Sequence, residues 1–437
     1  MNGCFGEVTP HLLGSEHGRL KLSLDYQATA LWDRWEQELI QDSGERAIRT
    51  ARGTVVILNT IGVHEIDTAG FAAIRTALTE YAEPYEDLDP VDIDWLDPVP
   101  TSRPLKAMFI PGEHGVNAPA LLRALATAFE RAGGTLLAGQ VAEVSTEGQQ
   151  ATGVRLRSGD HVPAGAVVLA AGAATSALLD CLPEPTRDRI PLVVAGRGVA
   201  LLVRMQNGGI PASVIRTPNR AFACGLHIVP REDGVVYLGA TNEVESHPGS
   251  GAAIGELNLL LGGTRQLRAD LVESWVEQIL VGNRPVPLDG FPLIGEAGLA
   301  GLWLLTGTYR DGLHQSPLLA QHLADRLMGK PYDHELDAFT PIRPPIQAMT
   351  RQQCLDQAVA HTIGTGYEHD WTIMDDWPPM LVEAFQHRFG SLLDSIDEEF
   401  TPPPEMVCFA DEVIRTALRR YYSAYRGSSP ASQQKGR

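Results

Sequence analysis

The sequence predicts an α/β fold of the mixed α+β kind, in which an antiparallel β-rich domain is inserted into a layered α/β domain. Helical and strand patterns alternate before residue 190 and return after residue 284. Between them, residues 191–241 hold five short β-branched stretches separated by turn signals. After Arg343 the composition shifts to amphipathic helical stretches, which predict a C-terminal helical extension.

The first hundred residues predict two helices and one strand. Residues 24–40 carry apolar side chains at three- and four-residue spacing, and residues 67–81 also have a helical pattern. Residues 54–58 (TVVIL) are β-branched and predict a short strand between the two helices. Residues 84–104 are rich in Pro and Asp and predict an irregular connection.

A second α/β unit begins at Asn117, where Pro119 follows as a typical first-turn residue of a helix. Gly133 and the glycine after it end this helix. Residues 166–171 (AVVLAA) are entirely apolar, as expected for a buried parallel strand. Other strands are predicted at 135–138 and in a hairpin formed by 141–144 and 153–156.

The middle of the chain is predicted to be mainly β before the α/β pattern returns. The five strand patterns lie at 193–194, 199–205, 213–215, 227–229 and 235–238. Later elements are predicted as a helix at 256–280, a strand at 303–306, a helix at 316–328 and helical stretches at 380–389 and 406–422. Ser316 is the expected N-cap of the helix at 316–328, with Pro317 as its first residue.

These patterns divide the chain into four predicted parts. They are a discontinuous α/β domain at 1–50, 105–190 and 284–343, a β-rich domain at 51–104 and 191–283, a helical extension at 346–426, and a disordered tail at 427–437. Trp371, Trp377, Phe385 and Phe389 supply apolar surface with which the extension would dock. We expect it to cover either a subunit interface or the mouth of a site, which leaves a homo-oligomer open.

Composition excludes several classes of partner. The 437 residues include 35 Lys and Arg against 54 Asp and Glu, which gives a net charge of −19 and disfavours nucleic acid and anionic membranes. The five cysteines are scattered without CxxC spacing, so neither a disulfide framework nor a metal site is predicted, and the cytoplasm is the expected location. The start of the chain is not a secretory signal, and residues 164–182 fit a strand, a turn and a helix better than a membrane span.

Two groups of glycines resemble the dinucleotide-binding GxGxxG motif in spacing but do not lie between a strand and a helix. Gly196 and Gly198 are followed by a strand pattern, and residues 249–255 follow His-Pro rather than a strand. Because phosphate binding needs the glycines at a strand-to-helix turn, both groups are predicted to be ordinary turns. The paired acids at 375–376 and 398–399 are predicted to be solvated helix ends.

Several short motifs carry a family resemblance. In chain order they are GVNAPALL at 115–122, AGGTL at 132–136, VVLAAG at 167–172, IVPR at 228–231, GAT at 239–241, RP at 284–285, DGFP at 289–292, TGTYRDG at 306–312 and SP at 316–317. Their order and spacing resemble the glycine oxidase / D-amino-acid oxidase family of FAD-dependent oxidoreductases, over residues 1 to about 343. The resemblance implies an FAD-binding Rossmann-like domain and assigns the β-rich domain to substrate binding.

The family resemblance also implies an activity. A small amino acid or amine would be oxidised to an imine by hydride transfer to flavin N5, and the electrons would pass to dioxygen or an electron carrier. Two alternatives stay open, which are a non-catalytic or split-subunit protein and a tailoring flavoenzyme that acts on a larger substrate.

One departure from the family is large. The family's first βαβ unit, which carries GxGxxG, is absent, and the sequence begins at the flavin-contacting loop with Asn2, Gly3 and Gly6. The missing part would amount to roughly 35–45 residues, about one mononucleotide-binding half. An upstream start, a separate chain that carries the unit, or a loss of tight FAD binding would each explain this.

The resemblance implies roles for individual residues. Arg310 would pair with the substrate carboxylate unless it is a surface arginine paired with a nearby acid, and Tyr309 would stack beside the flavin unless it is a core aromatic. His227 and His314 are candidates for the pocket, with a strand histidine and a helix cap as the alternatives, and Arg343 is either a second site arginine or a surface residue. The residues implied in cofactor binding are Asn2, Gly3, Gly6, Val141, Ala171, Gly172, Gly307, Asp311, Gly312 and Leu313.

Overall fold

The protein is represented by a computed structural model. It describes residues 2–59, 64–207, 209–219, 225–368, 371 and 377–426. The predicted tail at 427–437 and the acids at 375–376 lie outside the described residues. Within these ranges, no helix combines the length and the apolar character that crossing a bilayer would require.

The chain contains eleven α-helices in its described part. They are α1 (Pro10–Gly14), α2 (Glu16–Ser43), α3 (His64–Glu80), α4 (Ala118–Arg131), α5 (Glu184–Arg187), α6 (Ile254–Gly263), α7 (Gly312–Leu327), α8 (Arg351–Glu368), α9 (Trp377–Ile396), α10 (Pro404–Cys408) and α11 (Glu412–Ser423). The helix at α4 confirms the start expected from the sequence, because the Asn117 side chain accepts a hydrogen bond from the Ala120 amide.

The described strands number seventeen. They are β1 (Arg49–Ala51), β2 (Thr54–Leu58), β3 (Glu86–Leu88), β4 (Lys106–Ile110), β5 (Gly115–Val116), β6 (Val141–Glu147), β7 (Gln150–Leu156), β8 (His161–Pro163), β9 (Val167–Leu169), β10 (Val193–Arg204), β11 (Val214–Arg216), β12 (His227–Pro230), β13 (Val235–Gly239), β14 (Glu243–Glu245), β15 (Trp275–Pro287), β16 (Leu293–Glu296) and β17 (Leu302–Thr306).

The strands form two principal layers. A nine-stranded sheet runs in the order β14-β10-β13-β12-β11-β2-β4-β3, with β15 also paired to β10. It is antiparallel except where β11 runs parallel to β2. A three-stranded sheet runs β16-β17-β9, and β9 is parallel to β17, which confirms the parallel strand expected near residue 168. The expected burial is only partly met, because Val167 and Leu169 are buried but Val168 is exposed. A hairpin sheet, β6-β7-β8, lies beside it.

Several sequence predictions of local structure were wrong, and three of them concern strands. Residues 135–138 form no strand and are exposed there, because they have no partner strand within the described residues. The region 256–280 is helical only to Gly263, and Trp275–Pro287 instead pairs along the whole of β10. Gly196 and Gly198 lie inside β10 rather than in turns, and a Cβ at Gly198 would sit 2.1 Å from an Arg284 nitrogen, so the glycine makes room for that guanidinium.

The helix predicted at 316–328 begins four residues earlier, at Gly312. Pro317 has no N–H to donate to the Leu313 carbonyl one turn before it. The Ser316 hydroxyl donates to that carbonyl instead, at 2.9 Å, so the helix continues through the proline. The helix N-terminus therefore directly follows Arg310 and Asp311.

The helical extension packs onto the rest of the same chain. Its α9–α11 region shares one buried cluster with β10, β14 and β15, through Phe400, Met406 and Tyr422 on one side and Val194 and Val286 on the other. Phe385 and Phe389 stack at 6.1 Å on α9, as their four-residue spacing predicts. The extension is thus part of the folded body and packs against the β10, β14 and β15 strands of the nine-stranded sheet.

Candidate active site

A cavity of about 180 Å³ lies between the extension and the α/β part of the chain. One wall consists of the N-terminal loop, α2 and the β17–α7 connection, and includes Cys4, Glu7, Lys21, Asp25, Tyr309, Arg310 and Asp311. The other wall comes from the extension and includes Ile346, Met349, Gln357, Thr401, Pro403 and Glu405. Of the four catalytic candidates from the sequence, Tyr309 and Arg310 line this cavity.

Tyr309 and Arg310 are held by the turn that joins β17 to α7. Tyr309 has φ +51°, a left-handed conformation that is uncommon for a residue with a side chain, and its amide donates to the Pro285 carbonyl at 3.0 Å. Its hydroxyl lies 2.5 Å from the Asn242 amide nitrogen. The Arg310 guanidinium lies over the Tyr309 ring at 4.9 Å. The unusual backbone thus places an aromatic ring and a cation side by side at the cavity.

Arg310 belongs to a small charged network. Glu7 lies between two arginines, with its carboxylate oxygens 3.8 Å from Arg310 and 3.2 Å from the almost fully buried Arg216. Burial opposes ionisation of Glu7, but Arg216 and then Arg310 outweigh it and lower the pKa of the carboxyl. Because Glu7 also forms an ion pair with Arg216, its carboxylate does not depend on Arg310 alone.

The negative charge of Asp311 at the N-terminus of α7 is balanced by a lysine. Asp311 is its N-cap residue, and Lys21 from α2 forms ion pairs with Asp311 and, at 3.3 Å, with Asp25. Burial disfavours the lysine charge, but the two aspartates raise the pKa of Lys21. Burial raises the pKa of Asp25, against the lowering effect of Lys21. Since Lys21 offsets Asp311, the helix terminus keeps its tendency to attract negative charge.

The loop with Asn2, Gly3 and Gly6 is anchored by Glu113. Its carboxylate accepts the Phe5 and Gly6 amides at 2.6 and 3.0 Å. A Cβ on Gly3 would lie 2.5 Å from the Glu113 side chain, so glycine is required by packing there. Asn2 is buried and pairs its backbone with His114.

His227 and His314 do not line the cavity. His314 is buried between α7 and α2, where Nε2 donates to the Asp25 carbonyl at 2.7 Å, and burial lowers its pKa. His227 Nδ1 donates to the Gly225 carbonyl at 2.9 Å, and its ring stacks on Tyr237 at 5.7 Å. Burial and then the charge of Arg216 lower the pKa of His227 to about 3. Both rings are therefore neutral near pH 7.

The low pKa of His227 predicts a pH effect on stability. In the unfolded chain the His227 side chain binds a proton below about pH 6.5, whereas in the folded chain it does so only near pH 3. The free energy of unfolding therefore falls as the pH is lowered between these two values. We expect His227→Gln to reduce the loss of unfolding free energy between pH 7.5 and 4.5 by up to about 3 kcal/mol, measured by urea denaturation. His161→Gln, at an exposed strand position, is the control. An unchanged pH dependence in His227→Gln would contradict this.

The remaining predicted cofactor residues form a second group beside β9. Ala171 precedes the 3-10 helix Gly172–Cys181, which packs against the β6 strand that begins at Val141. The Thr306 hydroxyl donates to the Gly172 carbonyl at 3.4 Å, which links this group to the end of β17. Gly307 has φ +75°, and a Cβ there would lie 2.5 Å from Pro287. Gly172 has open space where a Cβ would be.

The structure adds residues to which no role was assigned from the sequence. Arg284 donates to the Asn242 side chain at 3.2 Å, and Asn242 in turn donates to the Tyr309 hydroxyl. In the sequence, Arg284 was identified only as part of an Arg-Pro family motif. Lys21 and Glu405 had no sequence signal, because neither lies in a family motif and their places at the cavity depend on tertiary packing. Arg343 fits neither alternative from the sequence, because it is buried and bound to Asp289 at 2.9 and 3.0 Å.

Buried polar atoms without partners test whether FAD would fit. Asn2 Nδ2, His314 Nδ1 and Gln315 Oε1 are such atoms, and they belong to the loop and the helix start where the isoalloxazine ring is expected. No acceptor is recorded among the described residues for the amides of Gly312 and Leu313. Amide donors and a helix N-terminus suit the polar edge of a flavin. The residues present fit the flavin end of the cofactor.

Comparison with known proteins points to one family. A family model described as FAD dependent oxidoreductase (DAO) matches residues 3–326. A glycine oxidase of Pseudomonas putida is 29% identical over 301 residues, covering 68% of this chain and 78% of the relative. A bifunctional ThiO/ThiG protein of Trichormus variabilis is 32% identical over 243 residues, and the match spans only 35% of that longer protein and 55% of this chain.

Solved structures share the fold. A glycine oxidase of Bacillus cereus superimposes with a TM-score of 0.63 at 22% identity, over 75% of this chain and 85% of the other. An iminodiacetate oxidase of Chelativorans gives 0.62 at 22% identity, over 73% and 83%. The family match extends over well more than half of the sequence, so this chain belongs to the DAO family of FAD-dependent oxidoreductases, a family of enzymes whose cofactor is FAD.

Proposed function

We propose that the protein oxidises a small amino acid or amine at the carbon atom that bears the nitrogen, to give an imine that water hydrolyses. The observation that carries this proposal is Arg310, which lines a small cavity beside Tyr309 and the N-terminus of α7. The names of the relatives support it, because glycine and iminodiacetate are both small amino acids with a carboxylate.

The chain's own residues would bind and orient the substrate. A guanidinium can hold both oxygens of a carboxylate, so Arg310 would fix the direction of the adjacent C–H bond. The cavity places Tyr309 beside Arg310, so the substrate would lie against an aromatic ring while its carboxylate is held. When bound, FAD supplies the hydride acceptor for this chemistry.

The N-terminus of α7 would stabilise negative charge beside the substrate. The amides of Gly312 and Leu313 point out of the first helical turn, and Lys21 offsets the nearby Asp311. Asn2, Gly3, Gly6, Asp311, Gly312 and Leu313 would hold the flavin end of the cofactor, with Val141, Ala171, Gly172 and Gly307 nearer its other end.

Flavin reduction tests the proposed function. The purified chain is saturated with FAD, freed of excess cofactor and mixed anaerobically with glycine, N-methylglycine, larger amino acids and amines without a carboxylate. We expect small amino acids to bleach the flavin absorption, and oxygen uptake to tell dioxygen from a carrier as the acceptor. Retained FAD that no amine reduces would contradict the proposal.

A second candidate function is that of one component of a split enzyme. The edge of the small sheet favours it, since among the described strands β9 pairs with β17 alone and its Val168 is 37% exposed. Leu136 and Leu137, which form no strand, are 57% and 61% exposed. Parallel sheets are normally covered, so a βαβ unit supplied by an upstream segment or a second chain would complete this one. FAD retained by the chain alone would count against this candidate.

A further inference from the structure

The C-terminal extension completes the cavity with groups that the family match does not include. The match ends at residue 326, whereas one wall of the cavity is formed by residues 346–349, Gln357 and residues 401–405. The extension is held in place by Tyr421, whose hydroxyl donates to the Arg343 carbonyl at 3.2 Å. The extension also packs against Tyr309. Its side chains are therefore positioned to contact whatever the cavity holds.

Glu405 differs from the other acids of the cavity. Five acidic side chains line it, namely Glu7, Asp25, Asp289, Asp311 and Glu405. The first four form ion pairs with Arg216, Lys21 or Arg343. Glu405 is only 7% exposed, and the one hydrogen bond recorded for its carboxyl within the described residues is to its own backbone amide. A buried carboxyl with such poor compensation is costly unless a ligand supplies the missing partner.

The cavity thus contains a cation on one wall and an uncompensated acid on the other. Burial raises the pKa of Glu405, and Arg310 is the charged group that opposes this rise. A small molecule with a carboxylate and a protonated amine would match both walls at once, with the carboxylate at Arg310 and the nitrogen at Glu405. Neither a simple carboxylate nor a simple amine would do so.

We propose that Glu405 is a specificity-determining residue, which binds the amino nitrogen of a zwitterionic substrate whose carboxylate is held by Arg310. This inference rests on the proposed function and names the second recognition group of the same site. It assigns the extension a direct part in substrate choice, because it makes amino acids preferred over carboxylates that lack nitrogen.

Calorimetric binding of two probes to the anaerobic chain loaded with reduced FAD tests this without turnover, because reduced flavin cannot accept a hydride. Glycine has both groups, whereas acetate has only the carboxylate. We expect Glu405→Gln to weaken glycine binding by about 10-fold or more, the usual effect of losing a charge-assisted contact. Acetate binding should stay the same or improve, since a negative charge is removed. Glu398→Gln, at an exposed position of the same extension, should change neither.

Two further variants separate the explanations. Glu405→Asp keeps the charge and should retain part of the preference for glycine, which rules out a loss of folding as the cause. Arg310→Met should weaken both probes. If it does so while Glu405→Gln leaves the preference for glycine intact, the inference is overturned and the proposed function survives. If the wild-type chain binds neither probe, or Arg310→Met affects neither, the proposed function fails as well.

Discussion

Replacing Arg310 with alanine is expected to lower kcat/KM for a carboxylate-bearing amine by about 30- to 1000-fold, or about 2–4 kcal/mol. Arg310 lines the cavity and lies over Tyr309, where its fork would hold the substrate in one orientation. Loss of that contact should raise KM and also lower kcat, because a misoriented C–H bond reacts slowly. Steady-state kinetics of the FAD-loaded protein with glycine measure this.

The fold should survive the Arg310 substitution. Glu7 keeps its 3.2 Å contact with Arg216, so its carboxylate retains a cationic partner. Arg310→Lys should recover only part of the activity, because an ammonium keeps the charge without the planar fork. Arg34→Ala, at an exposed site on α2, serves as the control. Unchanged kinetics with glycine, or an equal loss with a carboxylate-free amine, would exclude the assigned role.

Replacing Asp289 with alanine is expected to cost about 3–5 kcal/mol of unfolding free energy, the usual effect of breaking a buried ion pair. The Asp289 side chain is 1% exposed and that of Arg343 is 5% exposed. Without the aspartate, the arginine keeps three carbonyl partners but loses its counter-charge. Tyr421 also approaches Asp289 at 3.4 Å, so the extension should dock less firmly.

Chemical denaturation and limited proteolysis measure this effect. Asp289→Ala should lower the denaturation midpoint and expose α8–α11 to cleavage. The Asp394 side chain, which pairs with Arg351 at the surface, is 75% exposed. Asp394→Ala should therefore lower the free energy of unfolding by no more than about 1 kcal/mol. The double variant with Arg343→Ala should lose less than the sum of the single losses. Equal stability of Asp289→Ala and Asp394→Ala would show that the pair does not anchor the extension.

Elements with a local signal were predictable. The β-branched run 54–58 is the strand Thr54–Leu58, and the Asn117 cap begins a helix as expected. Elements whose state depends on distant partners were not. Residues 275–280 continue a helical pattern, yet they form β15 because β10 offers a strand edge along its whole length. Ser316 looked like an N-cap, but its hydroxyl substitutes for the N–H that Pro317 lacks.

The same division applies to the site. The TGTYRDG motif pointed to Tyr309, Arg310 and the helix start after them, and these residues do meet at a cavity. The burial of His314 and Arg343 could not be predicted from the sequence, because a histidine or an arginine in a motif can be either buried or exposed. No family motif includes Glu7, Arg216, Lys21 or Glu405, and only the packing of distant parts of the chain brings them to the site.

By itself the sequence determined the order of the elements, the family motifs and the residues of the β17–α7 turn, because these follow from local periodicity, capping and short spacings. Only the tertiary structure decided which charges meet. Lys21 and Asp311 are 290 residues apart, and Glu113 binds amides more than 100 residues away. Such pairs form because a buried charge needs a partner, and which partner it finds depends on how the sheets and the extension pack.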